Sequence, residues 1–173
     1  MAKSKRAVLR DELSKRFMPY LRSRGFELSK ELAKSNGRSG FPFGTLIRKH
    51  ETASDIIEIQ FDKYSKPKFV INFRKDPPAL LKEVRSESGS LKWAEAEAFR
   101  LHPRPNSARW FTMRTFFGLR SPESCSKEVV DHLMDLFSEV ESWFDNGDMG
   151  KHLRRCPYVV ISHRNLQEDS SSS

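Results

Sequence analysis

The strongest constraint on this chain lies between residues 41 and 74, where three strand-like runs (41–50, 55–64 and 66–73) follow one another with only short polar breaks. In the second run Ile57, Ile59 and Phe61 alternate with Glu58, Gln60 and Asp62; in the third, Phe69, Ile71 and Phe73 alternate with Val70, Asn72 and Arg74. A repeat of two sends alternate side chains to opposite faces of a pleated strand, so the runs predict an antiparallel meander with one apolar and one mostly polar face. Such a sheet needs a second layer over its apolar face, which names a scaffold but no reaction.

The flanking sequence supplies that layer. Leu9, Leu13, Phe17, Tyr20 and Leu21 share one side of a helix over residues 8–24. Gly25 is placed for the left-handed position after its end, with Phe26 closing back on Leu21 as in a Schellman cap. Pro19 removes one backbone hydrogen bond, which predicts a kink or two short helices. Further along, Ser121, Pro122 and Glu123 are an N-cap, a first-turn proline and a dipole-compatible acid. They open a long helix whose stripe is Val129, Val130, Leu133, Leu136, Phe137, Val140 and Phe144, ending at Asn146–Gly147.

Between these helices the pattern is weaker. Residues 35–44 are Gly-rich but lack phosphate-loop spacing and predict a loop. After the break at Pro77–Pro78, residues 79–84 and 91–101 read as helical pieces around a Ser/Gly gap. Residues 109–117 predict a fourth strand, with Trp110, Thr112, Arg114 and Phe116 on one side and Phe111, Met113, Thr115 and Phe117 on the other. Residues 158–162 suit one more short strand, and the Ser-rich tail at 166–173 predicts disorder. The expected architecture is a single α+β domain over residues 1–165. It has an antiparallel sheet of four or five strands, an N-terminal helix and a long C-terminal helix packed against the sheet.

A hydrophobic share of 37% excludes a disordered chain, and no apolar run approaches the ~18 residues of a membrane span. The basic N-terminus has no apolar stretch behind it, so no export signal is expected. Cys125 and Cys156 form neither a disulfide framework nor a zinc quartet, and a cytoplasmic location with free thiols is the expectation. The net charge of +8 is unevenly spread: residues 1–40 carry +7 and residues 122–148 carry −7.

Two segments carry a resemblance. FMPYLRSRGFELSK, residues 17–30, is similar to the opening helix of the small bacterial domain-of-unknown-function family 4304, with its Gly-Phe step. IIEIQFDKYSKPKFVINF, residues 56–73, resembles that family's central hairpin, and Trp110 sits where the family carries a tryptophan. The resemblance implies an α+β domain with helices over an antiparallel sheet and brings no catalytic residues. Its size and layout are similar to those of toxin-neutralising immunity proteins.

Several constellations bear on chemistry. Asp55, Glu58 and Gln60 are spaced like the acidic strand of metal-dependent nucleases, but a solvent-facing strand gives the same spacing. Cys125 lies in the first turn of the acidic helix, yet His132 is seven residues away, too far to activate its thiol. His152, Cys156 and His163 fall short of a structural zinc set, and Pro157 interrupts them. His50 and His102 have no acid–nucleophile pattern around them. No catalytic residue, metal site or cofactor is therefore assigned.

Charge gives the remaining expectations. A non-enzymatic binding protein that recognises a protein partner, with an acidic partner or an immunity or accessory role in view, follows from the segregated charges, which offer complementary docking faces. One alternative is a nucleic-acid-binding module in which Lys15, Arg16, Arg22 and Arg24 form one basic surface with Arg109 or Arg114, and Trp110 and Phe116 offer stacking; a second is a metal-dependent nuclease-like domain with Asp55 and Glu58 converging on a third acid. A competing structural role for the basic helix is to pair with the acidic helix of the same fold.

Overall fold

The computed structural model describes residues 3–29, 40–76, 92–115 and 119–162. Expectations for residues 35–39, 79–84, 116–117, His163 and the tail at 166–173 lie outside the described residues. The architecture is α+β, and among the described residues its antiparallel sheet has seven strands rather than four or five. These are β1 (Glu27–Leu28), β2 (Thr45–Lys49), β3 (Ser54–Phe61), β4 (Lys68–Asp76), β5 (Lys92–Leu101), β6 (Phe111–Thr112) and β7 (Leu153–Ser162). Their order is β1-β2-β3-β4-β5-β7, and β6 pairs with the start of β4.

The meander is the centre of this sheet. Leu46 stands opposite Ile57, Ile57 opposite Phe73, and Phe73 opposite Phe99, so one register row crosses four strands into the core. The other face is also internal in part: Ile56 and Val70 are buried. There Thr45 donates to Glu58 at 2.9 Å, Arg74 lies 3.7 Å from the same carboxylate, and Arg100 donates to Asn72 at 2.8 Å. Polar residues expected to face water thus satisfy one another across strands.

Two departures from the sequence reading concern local preference. The run KWAEAEAFRL, read as helical from its Ala and Glu, is strand β5, paired with β4 on one side and β7 on the other. Helix propensity amounts to less than about 1 kcal/mol per residue and yields to two ladders of backbone hydrogen bonds. The segment expected to form a fourth strand from residue 109 is strand only at Phe111–Thr112, although its alternation holds: Phe111 and Met113 are buried in the core.

The helical layer lies on the apolar face. The N-terminal helix comprises α1 (Lys5–Glu12), a π-helical turn (Leu13–Phe17) and α2 (Met18–Ser23). Pro19 explains the division. It has no N–H for the Lys15 carbonyl, and the preceding Met18 N–H reaches one residue further back to Leu13. The end follows the Schellman pattern, with Phe26 N–H donating to the Leu21 carbonyl at 3.0 Å, Gly25 N–H to Arg22 at 3.0 Å, and Gly25 at φ 84°. Helix α3 (Pro122–Asn146) starts on Ser121, whose hydroxyl accepts from Ser124 N–H, and stops at left-handed Gly147. Phe17, Tyr20 and Phe137 pack ring against ring between the helices, and Phe73, Phe99, Trp143 and Phe144 join α3 to the sheet.

Candidate binding cleft

The basic residues singled out in the sequence separate into two environments. In the first, the N-terminal helix lies against α3. Arg16 pairs with Asp131 and with Glu12, and its guanidinium is held ionised chiefly by the hydrogen bond to Asp131. Arg24 sits 3.4 Å from Glu141 and over the Tyr20 ring, while burial and then Glu141 push the Tyr20 phenol upward. Glu139 instead binds His152, accepting from its Nδ1 at 2.6 Å and its backbone N–H at 3.0 Å. Lys15 and Arg22 are exposed and pair with no described residue.

Arg109 and Arg114 lie elsewhere. They line a cleft of about 550 Å³ between the β5–β6 connection, β6 and α3. Lys68 enters from the first position of β4, Arg104 and Pro103 from the connection, and Val129 and His132 from α3; Trp110, Phe111 and Thr112 complete the wall. None of these lining residues is acidic.

Each wall element is held in place from behind. Lys68 stands opposite Thr112 in the β4–β6 pair, and Met113 N–H donates to the Pro67 carbonyl at 2.9 Å. Beneath them, Phe111 stacks on Phe69 with ring centroids 5.2 Å apart. The connection is tied down by His102, whose Nδ1–H donates to the Arg109 carbonyl at 2.8 Å, and by His132, whose Nε2–H donates to the Pro103 carbonyl at 2.9 Å. Burial lowers the pKa of His102 and so favours its neutral form.

Charge in the cleft is largely uncompensated. Arg104, Arg109 and Arg114 are exposed, and none forms an ion pair with a described residue. Lys68 alone has an acid, Asp62 at 3.1 Å, and its ammonium lies 5.3 Å from the Trp110 ring centroid. Burial opposes ionisation of Asp62, but Lys68 and the N–H groups of Tyr64 and Lys66 outweigh it and hold the carboxyl below the usual range. Lys5, at the start of α1, donates to Thr115 next to Arg114 and adds a further positive group at the cleft margin. Guanidinium forks with no ion-pair partner among the described residues match phosphate or carboxylate oxygens, two hydrogen bonds at a time.

Sequence reasoning found Arg109, Arg114 and Trp110 but missed Lys68, Arg104 and His132. Lys68 joins them only through strand pairing with Thr112, and His132 only through the docking of α3, neither of which leaves a local signal. Phe116, the second proposed stacking residue, lies outside the described residues.

The acidic and thiol constellations are dispersed. Asp55 lies on the helix-covered face, where Oδ2 accepts from Arg48 Nε at 2.9 Å and His50 Nε2 at 2.7 Å, whereas Glu58 lies on the other face with Thr45. The two carboxylates cannot share an ion. Cys125 is buried in the core, away from any base among its described neighbours. Among the described residues no three His, Cys, Asp or Glu side chains gather around a common point.

Compared with known proteins, the chain matches no family model, no curated protein and no solved structure. Among the described residues, no helix is long and apolar enough to cross a membrane.

Proposed function

We propose that the chain is a non-enzymatic binding module that takes nucleic acid in the cleft at β6. One observation carries this reading: Lys68, Arg104, Arg109 and Arg114 converge from separate segments on one concavity with an aromatic wall and no acid. The expectation of a protein partner drew on segregated charges as docking faces, and Arg16–Asp131 and Arg24–Glu141 use part of that charge inside the fold. In the cleft, Arg104, Arg109 and Arg114 have no such partner among the described residues. Phosphates would occupy the guanidiniums and a base the Trp110 wall, so both kinds of lining have a ligand group.

Fluorescence anisotropy with labelled oligonucleotides at several salt concentrations tests the proposal. Each phosphate neutralised contributes about −0.7 to the slope of log affinity against log salt on a single strand, so three free arginines predict roughly −2. Arg109→Gln and Arg114→Gln should each weaken binding and flatten that slope. Absence of binding at low salt overturns the reading.

A second reading keeps the protein partner, and the outer side of α3 favours it. Glu123, Asp135 and Asp145 are exposed there without ion pairs to described residues, so α3 carries acids of its own outside the basic cleft. A partner presenting an acidic segment to the cleft and a basic one to these acids would match both, as an immunity or accessory factor in a cytoplasmic complex would do. An oligo-glutamate peptide that displaces the oligonucleotide at comparable charge concentration would select this second reading. Kinship with family 4304, carried by residues 17–30 and 56–73, remains part of the proposal and is compatible with either ligand.

A further inference from the structure

We infer that the cleft reads single strands, seating one unpaired base against Trp110; this rests on the nucleic-acid reading above and deepens it. Trp110 is the lining aromatic with both reach and room. Phe111 is only 1% exposed and spends its face on Phe69, and the His132 ring is fixed by its bond to the Pro103 carbonyl. Trp110 is half-buried, its backbone is held by the Thr112 hydroxyl donating to its carbonyl at 2.9 Å, and its side chain lines the cleft.

The cations are arranged around that ring. Arg109 is its chain neighbour, Arg114 lines the same cleft, and the Lys68 ammonium, paired with Asp62, lies over one face of the indole at 5.3 Å from its centroid, so a base takes the opposite face. A base against the indole therefore has positive groups in reach of the phosphates on either side of it. About 550 Å³ accommodates one or two nucleotides and not a helix with its bases paired. A duplex has no free base face to offer and would meet the site through its phosphates alone.

Three labelled ligands distinguish the outcomes: oligo-dT, an abasic strand of the same length and phosphate number, and a duplex of the same total phosphate number. At one low salt concentration oligo-dT should bind the wild-type chain between about fivefold and a hundredfold more tightly than the abasic strand, the range of one base–aromatic stack. Trp110→Ala should bring oligo-dT affinity down to that of the abasic strand on the same variant, and Trp110→Phe should restore part of the difference. Equal binding of all three ligands overturns the inference and leaves the nucleic-acid reading standing. Binding of none overturns both. The abasic comparison uses the unaltered protein, so it decides the question even if Trp110→Ala does not fold.

Discussion

The α1–α3 face and the β6 cleft both contain conspicuous cations, yet they differ in what those cations meet. On the helical face Arg16 and Arg24 find Asp131 and Glu141 within the same molecule. In the cleft Arg104, Arg109 and Arg114 find no described acid. Asp131 and His132 are adjacent in the chain but serve opposite regions, one neutralising Arg16 and the other bracing the cleft through Pro103. A cation count therefore does not locate a binding site. What matters is charge left without a partner in a place where a ligand fits, because a satisfied arginine must lose one contact to gain another.

The largest difference should appear in stability. Phe137 is fully buried between the helices, against Phe17 and Tyr20. Phe137→Ala should cost about 3–5 kcal/mol in urea denaturation, as large-to-small changes in a core do. Arg109→Gln should stay within about 0.5 kcal/mol of the parent chain, like other surface substitutions. A cleft arginine that cost as much as the phenylalanine would show that the cleft is a structural element, and the contrast would collapse.

The next effect is on affinity. Arg109→Gln combined with Arg114→Gln should weaken oligonucleotide binding by about tenfold or more at low salt and reduce the salt slope by roughly 1 per residue on duplex. Lys15→Gln combined with Arg22→Gln, which removes the same charge from the helical face, should do distinctly less. Equal losses from the two pairs would mean that net charge alone drives binding.

A smaller effect sharpens the comparison from the other side. Asp131→Asn releases Arg16 from its partner and should lower stability by less than about 1 kcal/mol, since both side chains are partly exposed. It should also raise nucleic-acid affinity slightly by removing one negative charge and leaving Glu12 as the acid beside Arg16. Unchanged affinity would place Arg16 outside the ligand's path.

The smallest effect is on pH dependence. His102 braces the cleft, and burial lowers its pKa below the ~6.5 of an unfolded chain. Below that value the unfolded state binds more protons than the folded one, so this contribution is complete above pH ~6.5 and declines as pH falls through the folded pKa. Replacing His102 by Gln should flatten denaturation midpoints across that window. A wild-type midpoint that rises on acidification through it would contradict the assignment.

How much was legible follows the range of the forces involved. Ile57, Ile59 and Phe61 announced their strand because a half-buried strand repeats every two residues, and the caps at Gly25 and Ser121 are written within a few residues of each helix end. Strands β1 and β6, with two residues each, are too short to show a period. Strand β5 was misread because Ala and Glu favour helix locally, while the neighbours that made it a strand lie in β4 and in β7, the latter more than fifty residues further along the chain.

The sequence by itself determined the α+β class, the meander at the centre of the sheet, the two capped helices and the segregation of charge, since periodicity, caps and composition are local. Only the tertiary structure decided which charges are used up. Strand pairing set Lys68 opposite Thr112, and the docking of α3 gave Asp131 to Arg16 and His132 to the cleft. Coulomb and hydrogen-bond energies depend on distance in space and not along the chain, so the pairing of like-looking cations had to wait for the fold.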